Sequence, residues 1–189
     1  MRMLCFGDSN TYGYDPRSYL GGRYGAEVRW VDRLAEQRGW ELLNAGQNGR
    51  EIPRRSGEMR RFQQLLAQSQ PLDLLVVMLG SNDLLQGNTP EMVSARMETF
   101  LRQLPMEPRE VVLMAPPPMK AGTWVTEERL LGDSVELSRR YQTLARTLGT
   151  RFVDTREWDI DLTFDGVHFS EAGHKTFAER LGLALAAFL

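Results

Sequence analysis

The chain has 189 residues, of which 42% are hydrophobic and 25% are charged, and its net charge is −2. This length fits one globular domain with a sizeable core, so we expect a single domain over residues 1–189. The near-balance of charge excludes a basic field that would attract nucleic acid and an acidic excess typical of disorder, and a small molecule is the expected partner.

The cysteine content and the apolar runs exclude further classes. Cys5 is the only cysteine, so an intramolecular disulfide and a cysteine-rich zinc site are excluded. The apolar run near the start is far shorter than the h-region of a signal peptide. No run approaches the roughly 20 apolar residues of a membrane span. We therefore predict a cytoplasmic protein that does not span a membrane.

Apolar runs typical of short β-strands alternate along the chain with amphipathic segments typical of α-helices. The predicted strands cover residues 2–6, 40–43, 72–79, 111–115 and 151–154. Helices are predicted over 27–38, from Pro53 to about 70, over 90–104 and 135–148, and after Ser170, which can act as an N-cap. Two longer segments, 11–25 and 116–133, are predicted to form a lip and a wall or flap at the ligand site.

The order of these elements predicts the arrangement of the sheet. Five strands that alternate with helices, without a hairpin signal, favour a parallel sheet with helices on both faces. Right-handed crossovers leave a few doubly wound arrangements. Among them, the strand order 2-1-3-4-5 makes strand 1 the switch point, where ligands bind beyond the carboxyl ends of the strands. The segments after strands 1, 2 and 3 then lie side by side.

A serine follows the first predicted strand directly. Ser9 lies in the sequence Phe-Gly-Asp-Ser-Asn at 6–10, where a buried strand breaks into a loop, and we interpret it as a nucleophile. A serine hydroxyl is a poor nucleophile at neutral pH, so it needs a base within hydrogen-bond reach and an orienting partner for that base. The interpretation therefore depends on residues elsewhere in the chain.

Two histidines can supply an imidazole as the base. His168 follows a carboxylate, Asp165, by three residues and precedes the last predicted helix, whereas His174 falls within that helix. We therefore expect His168 to take the proton of Ser9, and Asp165 to hold the other ring nitrogen and stabilise the imidazolium. Taken alone, His168 is equally well explained as a structural or solvent-facing histidine.

Attack of a serine on an ester carbonyl creates an oxyanion, which fixed neutral donors stabilise. The expected donors are the backbone N–H groups of Ser9 and Gly49 and the side-chain amide of Asn82, which follow strands 1, 2 and 3. A glycine at 49 lets the chain pass close to a substrate. Asn82 alone is also typical of a turn residue that caps its own backbone. Asp8 and Asp83 are expected to be structural hydrogen-bond acceptors.

Other kinds of site have weaker support in the sequence. There is no G-x-S-x-G elbow, no Walker loop and no dinucleotide fingerprint after strand 1. The two histidines and the scattered acids show no spacing typical of a metal site, so we predict neither a metal nor a cofactor. A cluster of arginines around the second predicted helix is better explained by a solvated helix face than by an anion-binding patch. They are Arg50, Arg54, Arg55, Arg60 and Arg61.

Four short segments together resemble the SGNH hydrolases, a branch of the GDSL esterase/lipase superfamily. They are Gly-Asp-Ser at 7–9, Gly49, Gly-Ser-Asn-Asp at 80–83 and Asp-Gly-Val-His at 165–168, in the family's order over nearly the whole chain. Each segment alone is weak evidence for the resemblance, whereas four segments in the same order and register are strong evidence. The resemblance implies a flavodoxin-like three-layer α/β/α sandwich, and the same triad and oxyanion donors that the residues predict.

Within that family the chain is most similar to the bacterial arylesterase and acyltransferase/perhydrolase group. The similarity is carried by residues 4–9, 28–30, 71–74, 78–80, 116–118 and 168–172. The chain departs from the group at Tyr12 and Tyr14, where a tryptophan-rich run is usual, and at Gly49, where a member can carry alanine. Tyr12, Tyr14 and Trp124 are expected to bind the substrate, by stacking on an aryl alcohol or a sugar. Group members can form higher oligomers, which implies that this chain can form a homo-oligomer.

These residues predict a cofactor-independent serine esterase that hydrolyses short-chain acetyl or aryl esters through an acyl-enzyme. The loops contain no long apolar tract, which favours short acyl groups over lipid. A carbohydrate O-deacetylase is the nearest alternative with the same chemistry, followed by a lysophospholipase or a thioesterase. A non-catalytic ligand-binding domain is the alternative from another class, and the intact Ser9, Asn82, Asp165 and His168 count against it.

Overall fold

The computed structural model describes residues 1–18 and 21–188. Its centre is a five-stranded parallel sheet in the order β2-β1-β3-β4-β5. The strands are β1 (Arg2–Gly7), β2 (Glu41–Gly46), β3 (Leu74–Met78), β4 (Val111–Met114) and β5 (Arg151–Val153). The predicted fold class and the strand order 2-1-3-4-5 are confirmed.

The α-helices of the described residues connect the strands and cover the sheet. They are α1 (Ser9–Tyr12), α2 (Trp30–Arg38), α3 (Ser56–Ser69), α4 (Ser81–Leu85), α5 (Pro90–Leu101), α6 (Arg129–Leu148) and α7 (Glu171–Ala186). A short 3-10 helix, Pro108–Glu110, precedes β4. Ser170 is the N-cap of α7, as predicted, because its side chain accepts the N–H of Gly173.

Apolar side chains cover both faces of the sheet. Along β3, Leu75 and Val77 belong to one core, while Leu74, Val76 and Met78 belong to the other, because successive side chains of a strand point to opposite faces. Helices α3, α5 and α6 pack on the first face, and α2 and α7 pack on the second. This three-layer arrangement explains why the sequence of β3 is continuously apolar.

The carboxyl ends of the three strands around β1 lie at one level. Gly7, the last residue of β1, pairs with Gly46 on β2 and with the last residue of β3. Ser9, Gly49 and Asn82 follow the ends of these strands by a few residues each. The register therefore places the three predicted oxyanion donors on segments that leave the same edge of the sheet.

Two segments differ from the expected loops. The chain forms the short helices α1 and α4 after β1 and β3, where the sequence predicts irregular loops. The side chain of Asp8 accepts the N–H of Asn10 and caps α1. Helices of four or five residues are too short to show an apolar period, so the sequence pattern could not predict them.

Candidate active site

Ser9 is the first residue of α1, immediately beyond the end of β1, and it is almost fully buried. Its N–H group belongs to the first turn of the helix, where N–H groups have no acceptor within the helix. The helix ends after one turn because Gly13 adopts a left-handed backbone with a φ of 87°. The segment therefore holds both the hydroxyl and the N–H of Ser9 at the edge of the sheet.

Ser9, His168 and Asp165 form a continuous chain of hydrogen bonds. The Oγ atom of Ser9 lies 2.9 Å from Nε2 of His168, and Nδ1 of His168 lies 2.7 Å from Oδ2 of Asp165. All three side chains are buried. When the Nδ1 proton faces the carboxylate, Nε2 can accept the hydroxyl proton, which is the arrangement that a general base requires.

Both oxygens of the Asp165 carboxylate have hydrogen-bond partners within this loop. Its Oδ1 atom accepts the N–H groups of Val167 at 2.8 Å and of His168 at 2.9 Å. Burial acts to raise the pKa of Asp165, but hydrogen bonds from the His168 ring and from these two N–H groups outweigh it and lower the pKa to about 2. The carboxylate is therefore ionised at neutral pH and can stabilise an imidazolium beside it.

Asn10 joins the serine segment to the histidine segment, a role that was not predicted from the sequence. Its Nδ2 donates to the carbonyl of Val167 at 3.0 Å, and its Oδ1 accepts the N–H of Phe169 at 2.9 Å. The buried amide thus bonds the residues on both sides of His168 and fixes that loop against α1. An asparagine beside a serine carries no signal that identifies partners so far along the chain.

Gly49 and Asn82 are connected through a shared neighbour, Arg50. The Nδ2 atom of Asn82 donates to the carbonyl of Arg50 at 3.1 Å, which leaves its second N–H available. Gly49 has a positive φ of 69°, a conformation that residues with a side chain rarely adopt. No acceptor among residues 1–18 and 21–188 is bonded to the N–H of Gly49. The use of both groups as oxyanion donors stays a prediction.

The guanidinium of Arg50 fastens the loop after β2 to the sheet. It donates to the carbonyl of Gly7 at 2.8 Å and also to the carbonyl of Ala45. Burial lowers the pKa of Arg50 to about 10, and the nearby charge of Asp8 opposes the shift. The sequence grouped Arg50 with a solvated helix face. That interpretation is wrong for this residue, because its guanidinium is bonded to backbone carbonyls at the strand ends.

Asp8 and Asp83 accept hydrogen bonds from the backbone, as expected. The side chain of Asp8 caps α1. Burial raises the pKa of Asp8 to about 6, although nearby positive groups oppose the shift. Asp83 accepts the N–H of Ile52 at 3.1 Å and a bond from Arg96 at 3.0 Å. The carboxylate of Asp83 therefore holds the segment after Gly49 against α4, the helix that carries Asn82.

Two of the three predicted substrate-binding aromatics contact the imidazole. The rings of Tyr14 and Trp124 lie edge-on to the His168 ring, with centroids 4.8 Å and 4.9 Å away. Trp124 is half exposed, so part of the indole faces solvent beside the imidazole. Tyr12 instead stacks against the guanidinium of Arg23 at 4.4 Å from its ring centre. Binding of substrate by these rings stays a prediction.

The wall or flap predicted over 116–133 is bonded directly to the Asp165 loop. The N–H of Trp124 donates to the carbonyl of Asp165 at 3.1 Å, and the N–H of Lys120 donates to the carbonyl of Gly166 at 3.0 Å. A Cβ atom at Gly122 would lie 2.3 Å from the carbonyl carbon of Asp165, so only glycine fits this approach. The segment is therefore a wall packed on the loop that carries the acid and the base.

The second histidine lies away from this site. His174 is fully buried in the first turns of α7, where its Nδ1 accepts the N–H of Trp30 at 3.3 Å. Its ring packs edge-on against Tyr24 and Phe169. The distinction that the sequence drew between His168 and His174 therefore corresponds to two different environments.

Three further features bear on the chemistry of the chain. Within the described residues, no three His, Cys, Asp or Glu side chains are grouped to hold a metal ion. Cys5 is buried in β1, and burial raises its pKa to about 12, with Asp32 adding to the shift. Among the helices of residues 1–18 and 21–188, none is long and apolar enough to cross a membrane.

The sequence and the fold are similar to those of known acylhydrolases. The profile of the GDSL-like Lipase/Acylhydrolase family matches residues 5–176, a range that contains every residue of the site described above. No curated protein sequence is similar enough to match the chain.

Solved structures of esterases share the fold over the full length of the chain. The aryl esterase of M. smegmatis is 27% identical with a TM-score of 0.84, over 100% of this chain and 99% of its own. A candidate arylesterase from Agrobacterium tumefaciens str. C58 is 30% identical with a TM-score of 0.85, over 100% of both chains. Est24, a carbohydrate acetylesterase from Sinorhizobium meliloti, is 26% identical with a TM-score of 0.81, over 100% of both chains.

Proposed function

The chain belongs to the GDSL-like lipase/acylhydrolase family and is a carboxylic ester hydrolase, and on that premise we propose that it hydrolyses short-chain acetyl or aryl esters through an acyl-enzyme. Ser9 is the nucleophile in this proposal, His168 the base and Asp165 its partner. The observation that supports these roles most directly is the buried, hydrogen-bonded chain from Ser9 Oγ through the His168 ring to the Asp165 carboxylate.

The first half-reaction forms the acyl-enzyme. As Ser9 Oγ attacks the ester carbonyl, its proton moves to Nε2 of His168, and the ionised Asp165 stabilises the imidazolium. The carbonyl oxygen becomes an oxyanion, for which the N–H groups of Ser9 and Gly49 and the Nδ2 group of Asn82 are the donors. When the bond to the alcohol breaks, Nε2 returns its proton to the leaving oxygen.

The second half-reaction releases the acid. A water molecule attacks the acyl carbon while Nε2 of His168 removes one of its protons. The same three donors stabilise the second oxyanion. Cleavage of the bond to Ser9 Oγ frees the carboxylic acid, and the proton on Nε2 returns to the serine, so one ester and one water give one acid and one alcohol.

The aromatic surroundings of His168 support aryl and acetyl esters as substrates. The edge of the partly exposed Trp124 and the ring of Tyr14 flank the imidazole, where they can contact a planar alcohol. A carbohydrate O-deacetylase is the second candidate, because an exposed indole can also stack on a sugar and because a carbohydrate acetylesterase shares the fold over the whole chain. The single catalytic domain over 1–189, the cytoplasmic location and the homo-oligomer stay predictions.

A fluorophosphonate probe and an ester panel test the proposal. We expect the probe to label the folded wild-type chain and to lose that label in Ser9→Ala, since the probe reacts with an activated serine. Folded wild-type protein that is never labelled would instead favour the non-catalytic ligand-binding alternative.

The panel separates the candidate substrates. It comprises 4-nitrophenyl acetate, butyrate and octanoate together with acetylated sugars. The proposal expects the highest kcat/KM for acetate, whereas a preference for the acetylated sugars would favour the deacetylase and a preference for octanoate the lysophospholipase or thioesterase. Wild-type and Ser9→Ala proteins are compared on every ester, so that only serine-dependent turnover is counted.

A further inference from the structure

A cavity of about 270 Å³ opens beside Gly49, between the loop after β2 and helix α3. Part of its lining is apolar, from Phe6, Ile52 and Phe62. The rest is strongly charged and includes four arginines. They are Arg50, Arg54, Arg55 and Arg61; we call this cavity the arginine pocket. Its volume is below the range of complete drug-sized ligand sites, so it fits one branch of a substrate rather than a whole molecule.

The carboxylates in the lining do not balance these arginines. Among the described residues, only Glu51 and Glu58 line the pocket with them, and one oxygen of Glu58, Oε2, caps α3 by accepting the N–H groups of Arg54 and Arg55. Glu51 is 3.6 Å from Arg54 but also 3.8 Å from Arg96, which lies outside the lining. The pocket therefore carries an excess of positive charge.

Arg61 contributes most directly to this excess. Arg50 donates to the neutral oxygens of Gly7, Ala45 and the Gln47 side chain, and the nearby charge of Asp8 offsets part of its own. Arg61 is on the first turns of α3, and the lining carboxylates pair with other arginines rather than with it. A guanidinium at the edge of an apolar surface presents a planar fork of donors, which matches the geometry of a carboxylate.

The position of the pocket connects it to the chemistry. Gly49 lines the pocket, and the N–H of the same residue is a donor to the oxyanion in the proposed function. The pocket therefore adjoins one of the three proposed oxyanion donors, although Ser9, Asn82 and His168 do not line it. The apolar lining suits a hydrocarbon stem, and the two glutamates disfavour a dianion more than a monoanion, so a carboxylate on a short stem fits better than a phosphate.

We propose that the arginine pocket binds a carboxylate group of the substrate, so that this esterase prefers esters with one negative charge on the acyl or the alcohol part. This inference rests on the proposed function. It gives Arg61 a role in specificity. Arg60 and Arg61 are both exposed, but only Arg61 lines the pocket, so Arg60 remains on the solvated face of α3.

Two pairs of matched esters test the preference. Mono-4-nitrophenyl adipate and its methyl ester differ by one charge on the acyl part, and 4-acetoxybenzoate and its methyl ester differ by one charge on the alcohol part. Each kcat/KM is divided by the rate of hydroxide-catalysed hydrolysis, which removes differences in intrinsic reactivity. We expect the charged member of at least one pair to be favoured by roughly tenfold, the scale of a charge-assisted hydrogen bond; the pair that shows it identifies the side of the ester.

Arg61→Gln and Arg60→Gln are the matched variants. Arg61→Gln should remove most of the charged-over-neutral ratio, while Arg60→Gln should leave that ratio unchanged. Equal effects of the two variants, or the absence of a preference in the wild type, would overturn the inference. If either result were found while the neutral esters were still cleaved in a Ser9-dependent way, only this inference would fail and the proposed function would stand.

Binding without catalysis provides a separate readout. Titration of Ser9→Ala with monomethyl adipate should show binding that weakens roughly tenfold when Arg61→Gln is added. If the wild type cleaved no ester but this binding and its dependence on Arg61 were observed, the proposed function would fail and the pocket would stand as a carboxylate site. Binding that does not depend on Arg61 would overturn the inference.

Discussion

His168 and His174 are six residues apart in the sequence and both rings are buried, yet only His168 has a carboxylate in contact with its ring. His168 has a carboxylate on one nitrogen and a hydroxyl on the other. His174 has an N–H donor on Nδ1, and its Nε2 is buried without a hydrogen-bond partner among the described residues. Burial disfavours the charged form of either ring. The two rings differ in whether a neighbouring group can stabilise the positive charge of an added proton.

The charges around His174 oppose protonation further. Burial, followed by the positive charges of Arg33, Arg29 and His168, lowers the pKa of His174 to about 3. For His168, the negative charge of Asp165 lies in direct contact with the ring. A buried imidazole can therefore act as a base here only because a carboxylate three residues earlier is folded onto it.

Removal of the His168 ring should have the largest effect. We expect His168→Ala, like Ser9→Ala, to lower turnover of 4-nitrophenyl acetate by at least roughly 10³-fold, because the nucleophile then has no base. His174→Ala should leave the turnover of the folded protein nearly unchanged. The assignment of the base would be wrong if His174→Ala abolished activity and His168→Ala did not. Circular dichroism of each variant checks that the compared proteins are folded.

Removal of the carboxylate alone should make His168 resemble His174. We expect Asp165→Asn to lower kcat by up to roughly 10⁴-fold, but by less than loss of the base itself, because the imidazole remains while its protonated form is no longer stabilised. The measurement is kcat on 4-nitrophenyl acetate at pH 7 to 9. A kcat within threefold of wild type would show that Asp165 does not assist His168.

Loss of an oxyanion donor should be separable from the proton transfer. We expect Asn82→Ala to lower kcat on the order of 10²-fold with a smaller change in KM, because the donor acts on charge that develops in the transition state. Steady-state kinetics over a range of ester concentrations gives both constants. An unchanged kcat would remove Asn82 from the set of donors.

The smallest effect concerns stability rather than activity. Because the folded pKa of His174, about 3, lies below its value of 6.5 in an unfolded chain, the unfolded state binds more protons between these pH values, and stability is lost as the pH falls. His174→Gln keeps an acceptor for the N–H of Trp30 but does not titrate. We expect its free energy of unfolding to fall less steeply, by up to about 1.4 kcal/mol per pH unit.

Urea unfolding at pH 7, 6 and 5 measures this difference in slope. Asp8 contributes in the opposite sense, since its folded pKa of about 6 lies above the ordinary value of 3.8, and acid therefore favours the folded state through this group. That contribution is common to both proteins and cancels in the comparison. Parallel pH profiles of wild type and variant would show that His174 is not held neutral.

The features that could be predicted from the sequence were those that a local pattern determines. Continuous apolar runs identified the strands, and their alternation with helical patterns gave a parallel sheet, which the structure confirms. The strand order placed Gly49 and Asn82 beside Ser9, whereas the chemical needs of a serine nucleophile paired Ser9 with His168 and Asp165. The observed contacts between them agree with that expectation.

The features that escaped prediction are pairings of a side chain with distant backbone. Asn10 bonds the residues on either side of His168, Asp83 bonds the N–H of Ile52, and Arg50 bonds carbonyls at two strand ends. The partner of Asp83 is 31 residues away in the sequence and that of Asn10 is 157 residues away. No periodic pattern in the sequence reports contacts at such separations. Arg50 illustrates the difficulty, because its position in an arginine-rich stretch suggested a solvated side chain.

The bonding of the segment around Trp124 to the Asp165 loop has a consequence for redesigning this enzyme. Because backbone bonds join these two segments and only glycine fits at position 122, an insertion or deletion there would displace the carboxylate together with the indole. Exchange of the Trp124 side chain alone would change the half-exposed ring and its edge contact with His168, but it would keep the backbone bond to Asp165. Directed evolution of selectivity on this side should therefore accept point substitutions at 124 and reject changes of loop length.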